Sequence, residues 1–378
     1  MRVYLDNAAT TPIAPEVIDV MLTVMKENFG NPSSTHFYGR NAKANIENAR
    51  RTVAKLLNCA PSEIIFMSGG TEADNMAIHA SLNVLGVKRI ITTTIEHHAV
   101  GHTVEFLSDN KNVQLDYVRV SNTGVVDLDH LEQLLQENKK TLVSLMHANN
   151  EISTLLPLTK VSEICRKYGA FFHSDTVQTM GHYAFDLQSL DIDFVTCAAH
   201  KLHGPKGIGF LYVNRKTKTE AFIHGGAQER GLRGGTENIY GIVGLAKAME
   251  LAYEHLDEHA IHVQSLKDHM ISELKKIFPT VYFHGETEPS ISLYTVLNVC
   301  LPATEKSNML LFTLDLKGVS VSGGSACSSG SNKVSHVLEG IGADMTRPNV
   351  RFSFSRYTTK EEINFAIEQL NSIYQQNL

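Results

Sequence analysis

Cysteine is scarce in this 378-residue chain: five residues, Cys59, Cys165, Cys197, Cys300 and Cys327, an odd number with no Cys-x-x-Cys pair. That scarcity argues against a disulfide framework and against a structural zinc site, and it fits a reducing cytoplasm. Extended basic tracts are missing too. Lys139-Lys140 and Arg215 to Lys218 are short and sit beside turns, so they read as solvated faces and not as a nucleic-acid surface. No stretch approaches the roughly 18 apolar residues of a membrane span. The opening MRVYLDNAATTP has no basic segment followed by an apolar one, so neither insertion nor secretion is expected. With a net charge of -6 and 20% charged residues, the chain is neither a polyanion binder nor a disordered tail.

What is present is the pattern of an α/β protein. Apolar runs of strand length, EIIFMS, RIITTTI, VQLDYVRV, LVSLMHA, AFFHSD, DFVTCAA and GIGFLYV, alternate with helix-period segments between residues 62 and 213. This order predicts a mostly parallel sheet covered by helices. In NIENARRTVAKLL, Ile46, Ala49, Val53, Leu56 and Leu57 share one helical face, which is a packing face. After Gly244 a long helical segment, broken once, leads from Thr280 onward into short strands and helices of a smaller α+β domain. A chain of this length exceeds what one core usually supports. The expected division is a large domain of residues 1–257 and a small C-terminal domain of residues 258–378. About the first 13 residues are expected to pack with the small one.

Lys201 follows the strand DFVTCAA, between His200 and a Gly/Pro-rich turn. A lone lysine in a turn is ordinarily a surface residue. Here the preceding strand segment AFFHSDTVQ delivers Asp175 and Gln178, the partner types that a pyridinium nitrogen and a phenolic oxygen need. Pyridoxal phosphate (PLP) has both groups and takes a lysine Schiff base with an acid at the ring nitrogen. MSGGTEADN is a Gly-Gly turn that leaves a strand and opens a helix near Gly70 and Thr71, where unpaired N–H groups favour an anion. His97 and His98 end another strand on the edge where ligand crevices form. Asn149 and Asn150 end a further one: one amide could reach the cofactor's phenolic oxygen while the other closes the turn.

Together YLDNAATTP, GNPSSTH, SGGTEADN, MHANNEIS, HSDTVQ, AHKLHGPKGIG, GGAQERGLRGGTEN, SGGSACSSGS and VRFSFSRYTT resemble the cysteine desulfurases of the NifS/IscS type. These are PLP enzymes of fold type I, related to class V aminotransferases, and the resemblance runs in order along almost the whole chain. It implies Lys201 as the Schiff-base lysine, Asp175 on the ring nitrogen and His97 stacked on the ring. Gln178 and Asn150 are implied near the ring oxygen, and Gly70, Thr71 and His200 at the phosphate. Thr236 would reach the phosphate of a second protomer, so a homodimer follows. Arg351 matches the arginine that holds the substrate carboxylate, and its planar fork suits that task.

Cys327 lies among small and glycine residues, the composition of a mobile surface loop. The other four cysteines read as buried and inert. The resemblance makes Cys327 the persulfide carrier, a possible transient iron–sulfur ligand, and the group that hands sulfur to a protein acceptor such as an iron–sulfur scaffold. The implied activity is conversion of L-cysteine to L-alanine in the cytoplasm. A class V aminotransferase or selenocysteine lyase would use the same PLP shell, and a degenerate scaffold or sulfur-carrier partner is the reading of another class. Two departures stand out. Ala198 replaces a serine that would donate to the phosphate, and the chain ends without the longer tail by which some relatives contact a scaffold, so such docking does not follow.

Overall fold

The computed structural model describes residues 1–304, 307–323 and 335–375. After a two-residue strand β1 (Val3–Tyr4), the expected strands all form: β2 (Ile64–Met67), β3 (Arg89–Thr92), β4 (Gln114–Tyr117), β5 (Thr141–Ser144), β6 (Phe171–Asp175), β7 (Phe194–Ala198) and β8 (Gly209–Val213). These seven make one sheet in the order β2-β8-β7-β6-β5-β3-β4. From β7 to β4 the neighbours are parallel, while β8 is antiparallel to both β7 and β2. The reason is the short connection 199–208, since a parallel crossover needs on the order of a dozen residues or more. Lys201 lies in that tight return.

Every residue of β2, β3, β5, β7 and β8 is buried, as a sheet covered on both faces requires. The cover comes from α1 (Pro15–Glu27), α2 (Phe37–Leu56), α3 (Gly70–Asn83), α4 (His98–Lys111), α5 (Leu128–Leu135), α6 (Leu158–Lys167) and α7 (Ile239–Glu254). The predicted face of α2 packs inward, with Ile46, Ala49, Val53 and the following Leu57 in the core beneath it. The long helical segment continues as α8 (Leu256–Ile277), broken at His255, where φ -127 and ψ 34 leave the helical region.

A second core begins at Val263. Its strands β9 (Tyr282–His284), β10 (Val296–Cys300) and, after α9 (Leu310–Leu316), β11 (Val319–Ser320) and α10 (His336–Gly340), β12 (Asn349–Ser353) lead to α11 (Lys360–Gln375). β12, β10 and β9 form an antiparallel sheet. β1 pairs in parallel with β11, Val3 against Val319 and Tyr4 against Ser320, and Leu5 then accepts from Ser353 N at 2.7 Å. Val3 and Leu5 are thus part of the second core, with Phe352 and Leu370. Residues 6–11 run back across the sheet edge.

Candidate active site

β3, β5, β6 and β7 are parallel, so their C-terminal ends share one edge, the side on which open α/β sheets bind ligands. His97 lies beyond β3, Asn150 beyond β5, Asp175 ends β6, and Lys201 follows β7. All four line one cavity of about 220 Å³, together with Gln178, His200, Gly70, Thr71 and Arg351. Residues drawn from six separated stretches of chain thus meet at one place.

The wall opposite the strands is made by the N-terminal segment. Lys201 Nζ donates to Ala8 O at 2.5 Å and Ala9 O at 2.9 Å, and Gln178 Nε2 donates to Ala8 O at 3.1 Å. Thr11 N and Oγ1 donate to His200 O at 2.9 and 3.0 Å, and His200 Nδ1 lies 3.2 Å from Thr10 Oγ1. Burial, then the Lys201 charge, lowers His200 to about 4, so its imidazole is neutral.

Asp175 is buried at the end of β6, with Oδ1 accepting from Val177 N at 2.8 Å. Burial, followed by the Asp74 carboxylate, pushes it up to about 7 against the pull of the Val177 N–H, His173 and Lys201. A cation placed opposite it would favour its ionised form. His97 caps α4, its Nδ1 accepting from Ala99 N at 3.1 Å. Burial and Lys201 lower it to about 4. The imidazole is therefore neutral with its proton on Nε2, where it can donate or stack. Acting as a base at Nδ1 requires giving up the cap. Of the two asparagines, Asn149 closes the turn, with Oδ1 accepting from Glu151 N at 2.7 Å, while Asn150 reaches the cavity.

α3 begins at Gly70 with no side-chain cap, leaving first-turn N–H groups beside the cavity. A Cβ on Gly70 would meet Val177 Cγ2 at 2.8 Å, so glycine is what lets this helix end approach the wall. Ala198 lines the same corner. Arg351 on β12 is fully buried: Nη1 donates to Asn150 O at 2.9 Å and Nη2 pairs with Asp6 Oδ1 at 2.7 Å. Among the described residues its buried Nε has no hydrogen-bond partner. That spare donor, the uncapped helix end and the space preserved by Gly70 fit a ligand carrying anionic groups.

Two candidate residues lie elsewhere. Thr236 is exposed and lines a separate cleft of about 70 Å³ with Glu229 and Arg233. Its loop is tied to α3 by Arg233 Nε to Glu72 Oε1 at 2.9 Å. Cys327 lies outside the described residues. Cys165, Cys197 and Cys300 are buried, and burial pushes each thiol up. Cys59 is only part-buried, and burial pushes its thiol up to about 12. Sequence reasoning missed Ala8, Ala9, Asp6 and Asp74. The first three are in the quoted YLDNAATTP, where only their distant partners give them a role. Asp74 was visible in SGGTEADN as an acid one turn inside a helix that faces the site.

A parallel-sheet edge carrying a lysine, a buried acid and a helix end for an anion defines a class, and the class-V aminotransferase model matches residues 3–365, so the chain belongs to that family. Within it the chain is of the IscS/NifS type. It shares 43% identity with the cysteine desulfurase IscS of Dictyoglomus turgidum, across 98% of this chain and 94% of that one. A solved NifS-like protein superposes with a TM-score of 0.91 at 38% identity, covering 100% of both chains. SspA, solved in complex with cysteine, superposes with a TM-score of 0.79 at 31% identity, over 94% of this chain and 100% of that one. Among the described residues, no helix is long and apolar enough to cross a membrane.

Proposed function

We propose that this chain is a PLP-dependent cysteine desulfurase that converts L-cysteine to L-alanine and holds the sulfur as a persulfide on Cys327. The observation that carries the reading is the meeting of Lys201, Asp175 and the buried Arg351 on one cavity. Lys201 would anchor the cofactor, Asp175 would face its ring nitrogen, His97 the ring face, and Gln178 and Asn150 the ring oxygen. Gly70, Thr71, His200 and the α3 N-terminus would take the phosphate. When bound, PLP supplies an electron sink for the charge left as the substrate's α-proton departs.

The protein's own groups do the rest. Arg351 receives the substrate carboxylate on its spare Nε edge while Asp6 and Asn150 O fix the guanidinium plane. Lys201 moves the α-proton: the Ala8 and Ala9 carbonyls hold its Nζ at the cavity wall. His97 keeps its Nε2 proton and positions. The Cys327 thiolate takes the substrate sulfur: the Cβ–S bond breaks, an S–S bond forms and Cβ gains a proton. The exchange balances without an outside oxidant or reductant.

The same reading includes a homodimer. Thr236 lies apart from its own chain's cavity, as a residue serving a second copy would, and α1 exposes Ile18, Leu22 and Met25 along one face although its other face is already buried. We extend the reading to a protein sulfur acceptor, a cytoplasmic location and the domain division at residue 257. The test is to incubate the purified protein with L-cysteine and measure alanine together with protein-bound sulfur. Equimolar alanine and persulfide are expected, and Lys201→Ala should lose both, along with the borohydride-reducible lysine adduct. A 2-oxo acid in place of alanine would overturn the reading in favour of an aminotransferase.

A further inference from the structure

We propose that Asp74 is a positioning residue that shares a single proton with Asp175, and that the proton passes to Asp74 when Asp175 takes up a cationic ring nitrogen. This rests on the PLP reading above. Asp74 stands four residues after Gly70 on α3, so it lies on the face of that helix turned to the cavity, which it lines. It is 1% exposed. Beneath the site it joins a dry polar chain: Ser144 Oγ lies 2.8 Å from His173 Nδ1, and His173 Nε2 lies 3.2 Å from Thr196 Oγ1 and 3.4 Å from Asp74 Oδ1. Among the described residues Asp74 Oδ1 nevertheless has no hydrogen-bond donor. Burial lowers His173 to about 4, so the imidazole is neutral and the contact is not an ion pair.

An ionised carboxylate with an oxygen left bare in a dry site is costly, and two buried carboxylates close together do not readily both ionise. The neighbours decide where the proton goes. His173 and Asp175 face Asp74 from β6, and Thr196 comes from β7. Glu96 lies before α4, and Lys201 lies beyond β7. The acids outnumber the one lysine. Asp175 has the Val177 N–H and the Lys201 charge to support an anion, whereas the donor acting on Asp74 is the Thr196 hydroxyl. A cation arriving at Asp175 therefore tips the shared proton onto Asp74. Burial pushes both carboxyls up to about 7, and at Asp175 the Asp74 carboxylate adds to the rise.

Asp74→Asn removes the partner and preserves the shape. The affinity of cofactor-free protein for PLP is read by fluorescence titration from pH 5.5 to 9, in wild type and variant side by side, so that the titrations of PLP itself cancel in the ratio. Without an anionic neighbour Asp175 ionises at lower pH, and a shift of one unit, from about 7 to about 6, makes the variant bind about fivefold more tightly near pH 6. The curves converge above pH 8. Asp74→Ala, also neutral but unable to hydrogen-bond, should carry the same shift, which a purely structural role would not produce. A wild-type pH profile in both variants overturns the proposal and leaves the cofactor reading intact. Absence of PLP binding by the wild type at every pH overturns both.

Discussion

Arg351 offers the sharpest test, because it is at once a buried charge of the fold and the proposed carboxylate clamp. Its guanidinium is 0% exposed, spends two donors on Asn150 O and Asp6 Oδ1, and leaves Nε without a partner among the described residues. Losing one partner of a buried, hydrogen-bonded charge pair costs about 2 to 5 kcal/mol. At about 1.4 kcal/mol per decade, Arg351→Ala should raise the KM for cysteine by roughly 30-fold to several thousand-fold. The same change strips Asp6 of its partner, so stability falls too. Asp6→Asn separates the two effects: it breaks the same internal pair but leaves the guanidinium available to substrate. Initial rates of alanine formation against cysteine concentration, with PLP content recorded by absorbance, should show a raised KM in Arg351→Ala and none in Asp6→Asn. If both variants lose stability alike and neither alters KM, Arg351 serves the fold alone and the clamp lies elsewhere.

Cys327→Ser should still bind PLP yet accumulate no protein persulfide; mass spectrometry placing the sulfur on Cys197 or Cys300 of the parent protein would refute the assignment. Ala198→Ser adds a hydroxyl at the corner beside Gly70, and a hydrogen bond to a charged group contributes about 1.5 to 3 kcal/mol. Slower loss of PLP on dialysis against a competitor is expected, with no change in the chemical step; equal or faster loss would mean that other donors already fill that place. Lys267 is buried on α8, with Nζ donating to Ser292 Oγ at 2.6 Å and Leu293 O at 2.9 Å, and burial lowers it from 10.5 to about 7. Unfolding then takes up a proton between pH 7 and 10.5, so this site's contribution to stability rises with pH across that window and is lowest below 7. The melting temperature of the wild type minus that of Lys267→Met should climb from pH 7 to pH 9; a flat difference would refute it.

Strand and helix order was legible because most apolar runs of the large sheet, β2, β3, β5, β7 and β8, are buried on both faces, which leaves a plain length in the sequence. The break at His255 and the antiparallel β8 follow from local spacing as well. β1 was not legible, since two residues carry no period and their partner strand is over 300 positions away. The same holds within the site. Lys201, Asp175 and Gln178 are recognisable by residue type, but the carbonyls that hold Lys201 and Gln178 belong to alanines, whose side chains announce nothing. By residue type alone Asn149 and Asn150 are alike; the resemblance points to Asn150, and the Glu151 and Ile152 N–H groups claim the first. The neutral, Nε2-protonated state of His97 depends on one backbone contact to Ala99.

The strand β1 and the alanine carbonyls that follow it have a consequence for synthesis on the ribosome. Residues 3–8 emerge first, yet Val3 and Leu5 donate to Gly318 O and Ser320 O, and Ala8 N donates to Ser353 Oγ. Until that late segment exists, Val3 N, Leu5 N and Ala8 N lack these partners, and closing so long a loop is slow compared with local helix formation. The central sheet can form during translation, and Thr11 and Ala14 can already pair with His200 O and His203 O, but the partners that anchor residues 3–8 are complete only when translation is nearly over. A nascent chain that stalls short of residue 353 would carry every strand of the large sheet and still lack the partners that fix residues 3–8 beside the cavity, so the last wall of that cavity is set by the route of the chain.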